Sequence, residues 1–194
     1  MEAVFLGLLG VVIALGAAWA RGQYASFLSQ TPDNYAAGKA GQFDIRTQFN
    51  GPILCEGVIF GLTGKVSSRF EAEFECNWTG NRCVMTETFR YDDGSVQNRA
   101  WKLDLGNDGK IKATAEDVVG TGTGTQMGDA VQLKYKLKLP EASGGHVLDV
   151  VDWMYLAPNG AIINRSQFRK YGIQVAELVA TMRPLDTMEE RKAA

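Results

Sequence analysis

The sequence predicts an all-β domain, an antiparallel up-and-down sheet closed into a calyx-like barrel behind one apolar N-terminal helix. Three observations predict it. Segments of apolar and polar alternation run through most of the chain, glycine turns separate them, and helical periodicity is nearly absent beyond the first twenty residues. About nine or ten strands result, near residues 43–49, 53–60, 66–76, 83–91, 95–105, 110–119, 130–139, 146–156, 161–168 and 174–183. So many strands, each with one wet face and no helix to cover an edge, are most simply satisfied by closing the sheet on itself. A β-sandwich is the alternative.

The N-terminal helix comes first. Residues 3–20 carry no charge, and at ~1.5 Å per residue a helix of that length just crosses a bilayer core. Ala18-Trp19-Ala20 has the small-x-small form of a signal-peptide cleavage site, but Glu2 precedes the apolar run and no Lys or Arg does. Residues 1–22 are therefore expected to be an uncleaved membrane anchor, with a signal peptide as the alternative. Residues 23–41 are expected as a linker, 42–184 as the barrel and 185–194 as a tail. About 170 residues after the anchor suit one core.

Composition excludes several functions. Lys plus Arg is 20 against 22 Asp plus Glu, with no local basic cluster, so nucleic acid is not an expected partner. His146 is the only histidine and lies in a glycine-rich turn, and the cysteines lack paired metal-ligand spacing, so neither a metal site nor a cofactor is expected. Cys76 and Cys83 flank the short loop 77–82. They read either as a bridge across a hairpin in an oxidising compartment or as two small buried thiols, with Cys55 left over. The run Gly120-Thr-Gly-Thr-Gly124 lacks the Lys-Ser/Thr ending of a phosphate loop and reads as a flexible connection at a barrel rim.

In the barrel segments, Val131, Leu133, Tyr135, Leu137 and Leu139 alternate with Gln132, Lys134, Lys136 and Lys138, and residues 66–76 repeat the pattern with Arg and Glu on the wet side. Asp92-Asp93-Gly94 and Asn107-Asp108-Gly109 suit three-residue loops with glycine in a left-handed bulge. These loops set register. The first places Phe89 opposite Gln97, Glu87 opposite Arg99 and Met85 opposite Trp101. The second places Leu103 opposite Ala113, Trp101 opposite Ala115 and Arg99 opposite Asp117. Both agree on the apolar face, and both put Glu87, Arg99 and Asp117 side by side upon it.

A guanidinium between two carboxylates is a sensible way to bury charge. Three roles are open to the row: a structural cross-link of three strands, a site at which Arg99 meets an anionic ligand group, or a carboxylate of shifted pKa for acid–base work. Pro158-Asn159-Gly160, by the same loop rule, sets Trp153 opposite Arg165, giving either a cation–π contact or a plain core aromatic. An apolar ligand in the barrel would be held by Phe89, Trp101, Leu103, Tyr135 and Trp153, with Arg99 near its carboxylate.

Phe89-Arg-Tyr-Asp-Asp-Gly94, Arg99-Ala-Trp101, Asp117-Val-Val-Gly120, Asp152-Trp-Met-Tyr155, Asn164-Arg165 and Lys170-Tyr-Gly-Ile173 together resemble the bacterial DUF3833 family over residues 41–183. The resemblance implies a lipocalin-like (calycin) barrel in the bacterial envelope, many of whose relatives are read as lipoproteins, and it carries over no catalytic residues. This chain has no lipobox cysteine, so attachment falls to the apolar helix. The expectation is an inner-membrane anchor with the barrel in the periplasm, or alternatively at the cytoplasmic face. The barrel is expected to bind a small apolar ligand, a lipid or fatty acyl compound. The alternatives are an enzyme that uses Glu87 or Asp117 on a membrane-derived lipid and an interaction protein with a filled barrel.

Overall fold

The structure, a computed structural model, describes residues 2–185. Helix α1 (Glu2–Tyr24) is followed by two single 3-10 turns, Phe27–Ser29 and Pro32–Tyr35, and by a four-residue helix α2 (Ile45–Gln48). Ten strands follow: β1 (Gly51–Phe60), β2 (Val66–Thr79), β3 (Arg82–Tyr91), β4 (Val96–Leu105), β5 (Lys110–Ala115), β6 (Gly122–Met127), β7 (Ala130–Lys138), β8 (Val147–Leu156), β9 (Ile162–Lys170) and β10 (Ile173–Pro184). Each strand pairs antiparallel with its neighbours in sequence, and β10 pairs with β1, so the sheet closes without an edge. Of the tail expected over 185–194, residues 186–194 lie outside the described residues.

The bulge loops behave as their composition requires. Gly94 and Gly109 take φ of 84° and 76°, and the predicted pairs Glu87–Arg99, Met85–Trp101, Trp101–Ala115 and Leu103–Ala113 all form. Two element assignments are corrected. Residues 43–49 are not a strand: Asp44 caps α2 by accepting a hydrogen bond from the Arg46 N–H at 3.0 Å, and Phe43, Ile45 and Phe49 turn together into one end of the barrel as its floor. The Trp78 indole N–H donates to the Phe49 carbonyl at 2.6 Å and ties this plug to β2. Conversely, the Gly-Thr-Gly-Thr run enters β6 rather than forming a rim loop. It has period two but no apolar residue to reveal it, because a Cβ at Gly124 would stand 2.4 Å from Leu133 Cδ2.

Residues 27–35 lie against the outside of β7 and β8. Phe27, Ala130 and Trp153 form a second, outer apolar cluster with Tyr35 and Tyr155 packed on it. Gln30 Oε1 accepts from the hydroxyls of Tyr35 and Tyr155, and the Phe43 N–H donates to the Gly128 carbonyl at 2.7 Å. Glycine is required at 128, where a Cβ would meet the Tyr35 carbonyl oxygen at 1.8 Å. Helix α1 is apolar over Val4–Gly22, long enough to cross a bilayer, and none of that stretch is buried against the barrel.

Candidate functional site

The floor closes one end of the barrel, and a cavity of about 520 Å³ extends from it toward the opposite end. Ile45 and Phe49 bound it below, and Leu137, Leu139 and Ser143 lie around its upper part. Most of its wall is apolar, as alternation on closed strands dictates: Phe70, Phe74, Met85, Phe89, Trp101 and Leu103 all turn inward. The connections at the open end and the first residues of the strands that follow them carry exposed large apolar side chains, Leu62, Val66, Val96, Val119, Val147, Tyr171 and Ile173. Tyr171 is 90% exposed and holds φ at 52°, a backbone conformation unusual for an aromatic residue.

Midway up the cavity the wall is polar. Arg99 Nε donates to Asp117, with the two carboxylate oxygens 3.0 and 2.9 Å away. Arg99 Nη1 stands 4.0 Å from Glu87 Oε2, outside hydrogen-bond reach. The guanidinium lies 4.2 Å over the Trp101 ring centre and 5.9 Å from that of Tyr135, whose ring meets Trp101 edge-on. Two atoms of this group are buried and have no hydrogen-bond partner, Glu87 Oε2 and Arg99 Nη2. Facing them from β8 and β9 is a second polar set, in which Ser166 Oγ donates to Asp152 Oδ1 at 2.8 Å and Asn164 Nδ2 donates to the same oxygen.

Burial governs the electrostatics. It pushes the Glu87 carboxyl up to about 7; Arg99 opposes this, while Asp117 and Asp152 add to it. Burial likewise raises Asp152 above the usual carboxylate range, against the hydrogen bonds from Ser166 and Asn164 and the field of Arg99. The Tyr135 hydroxyl is raised too, chiefly by burial, so it stays a donor at any physiological pH.

The expected row of Glu87, Arg99 and Asp117 therefore stands inside the barrel, and Phe89, Trp101, Leu103 and Tyr135 line the same cavity. Trp153 does not, which corrects its expected role as a ligand contact. It points outward from β8 and is fully buried beneath Phe27 and Tyr35. Arg165 pairs opposite it as the loop rule requires, but its guanidinium lies 4.9 Å over Phe27 and bonds Glu177 instead. Asp152, Asn164 and Ser166 were missed as site residues. Strand 147–156 is apolar at both parities, so a buried tryptophan reads as the inner face, whereas a strand apolar on both sides signals that something covers its outside. Cys76 and Cys83 are free buried thiols on adjacent strands, Cys76 opposite Met85 and Cys83 opposite Trp78.

A family model described as "Protein of unknown function (DUF3833)" matches residues 23–184, the whole barrel and the segment strapped to its outside. The chain belongs to the DUF3833 family. No curated protein matches the sequence. Among solved structures this DUF3833 barrel is similar to the S-type phycobiliprotein lyase CPES from Guillardia theta, with TM-score 0.56, 11% identity and coverage of 75% of this chain and 94% of that one. It is also similar to Rv2717c from M. tuberculosis, with TM-score 0.51, 14% identity and coverage of 71% and 93%. At such identities the likeness is one of fold, that of the lipocalin-like calycin barrels.

Proposed function

We propose that this protein is a membrane-tethered barrel that takes up one small, largely apolar ligand of lipid class. The observation that carries the reading is the cavity: about 520 Å³ of mostly apolar wall with a few convergent polar groups is the usual make-up of a small-molecule site. A filled, purely structural barrel would not have this interior. Two features support a ligand drawn from a bilayer. Helix α1 is long and apolar enough to anchor the chain, and only two residues separate it from the turn that packs on the barrel wall, so the barrel stays close to the membrane. The rim at the open end is studded with apolar side chains, among them a tyrosine of the kind enriched at membrane interfaces.

Native mass spectrometry of the full chain released from lipid nanodiscs tests the reading. A bound small molecule at one per barrel, recovered in an organic extract, is the expected result. An empty barrel that acquires nothing from lipid vesicles would overturn it. Periplasmic placement is tested separately by alkaline phosphatase fused to the C terminus, which is active only if the barrel is exported.

A catalytic version of the same reading is favoured by Glu87, whose carboxyl sits near the pH at which an acid–base group works best. In it Glu87 exchanges a proton with a bound lipid, and Glu87→Gln lowers turnover by far more than any change in ligand occupancy accounts for.

A further inference from the structure

We infer that the polar wall selects a ligand whose buried end is an amine or another hydrogen-bond-donating cation, and disfavours a carboxylate. This rests on the ligand-binding reading and names the chemistry of the group it would take.

The inference follows from counting charge inside the barrel. One guanidinium, Arg99 on β4, shares the cavity with three carboxylates: Glu87 on β3, Asp117 in the β5–β6 connection and Asp152 on β8. Lys138 also lines the cavity, at its mouth, but is half exposed and paired with Glu141 at 3.1 Å. Arg99 is already engaged, since Asp117 holds its Nε at 2.9 Å and Glu87 stands 4.0 Å from Nη1. An incoming fatty carboxylate would add a fourth acidic group around one cation, whereas an ammonium group would favour ionisation of the acids already there. In a water-poor interior such interactions are weakly screened.

The orphaned acceptor makes the same point independently. Glu87 is only 5% exposed, lines the cavity, and its Oε2 receives no hydrogen bond. A buried carboxylate oxygen without a donor is costly, and an ammonium group supplies both the donor and the missing charge. Asp152, on the facing wall, has one oxygen committed to Ser166 and Asn164 and is the second acceptor within the same space. Arg99 Nη2, the other orphan, is a donor and calls for an oxygen on the same ligand. A hydroxyl beside the amine provides one without adding negative charge. Around these groups Phe89, Trp101 and Leu103 offer apolar surface for the rest of the molecule.

Three probes of matched chain length separate the alternatives: octylamine, octanol and octanoate, titrated calorimetrically into the full chain in lipid nanodiscs near neutral pH, with empty nanodiscs subtracted. Octylamine is expected to bind at least about tenfold more tightly than octanoate, with octanol between them. Glu87→Gln and Asp152→Asn should each shrink that ratio several-fold. Repeating the octylamine titration in buffers of different ionisation enthalpy should reveal net proton release as Glu87 ionises against the amine, and Glu87→Gln should abolish that release. Octanoate binding as tightly as octylamine would overturn the inference and leave the ligand-binding reading standing. An amine preference unchanged in both variants would overturn its assignment to this wall. No binding of any probe above empty nanodiscs would overturn both readings together.

Discussion

Asp152 and Trp153 are neighbours in the chain, both lie deep in the protein, and they sit on opposite sides of one strand. Asp152 faces the cavity, held by Ser166 and Asn164, while Trp153 faces outward and is sealed beneath Phe27 and Tyr35. On the inner side Asp152 is the one charged group among Leu148, Val150 and Met154, and it borders the cavity; on the outer side Trp153 and Tyr155 are packed beneath the strap, while Asp149 further along is exposed. At this one level the usual order of a barrel strand, oil inside and charge outside, is reversed. The difference teaches that burial on this strand reports two separate structures, a ligand cavity and a strap that fastens the anchor-proximal segment to the barrel.

The largest expected effect lies on the outer side. Trp153→Ala empties a fully buried aromatic site and should destabilise the full chain by about 3–5 kcal/mol in denaturant titration. Ligand occupancy of the folded fraction should be unchanged. If occupancy fell in step with stability, the separation of the two faces would be wrong.

The inner side is expected to respond to pH. Folding raises the Glu87 carboxyl from 4.5 to about 7, so the native barrel holds a proton that the unfolded chain has released. The resulting stabilisation is complete below about pH 4.5, is lost as pH rises through about 7, and amounts to about 3 kcal/mol over that window. Glu87→Gln should match the parent near pH 4.5 and exceed it in stability at pH 8 by a comparable amount. A variant whose stability tracked the parent at every pH would place the titration elsewhere.

The smallest effect belongs to the rim. Tyr171→Asn relieves a positive φ at an exposed position and should change stability by no more than about 0.5 kcal/mol. If the rim meets the bilayer, the same variant should slow lipid uptake from vesicles, a rate that a merely strained turn would leave alone.

Much of the fold was legible before any coordinates. Strict alternation marked most strands, and the loops ending in Gly94 and Gly109 set registers that hold from Glu87–Arg99 to Trp101–Ala115; the second ladder ends there, and Asp117 reaches Arg99 from the connection beyond β5. Strand β6 was not legible, because glycines sit where apolar residues would have signalled the inner face. Nor was α2, since Phe43, Ile45, Thr47 and Phe49 have the spacing of a strand and become helical only when Asp44 caps them over the barrel floor.

By itself the sequence determined the all-β class, the up-and-down hairpins joined by the glycine loops and the inward pairing of Glu87 with Arg99, because side-chain parity and turn length are local properties. Only the tertiary structure decided which face of β8 is the cavity, that Asp152 stands across from Glu87, and that one guanidinium must serve three carboxylates. Those facts depend on strands distant in the chain meeting around a closed circle, and on a segment from outside the sheet choosing which wall to cover.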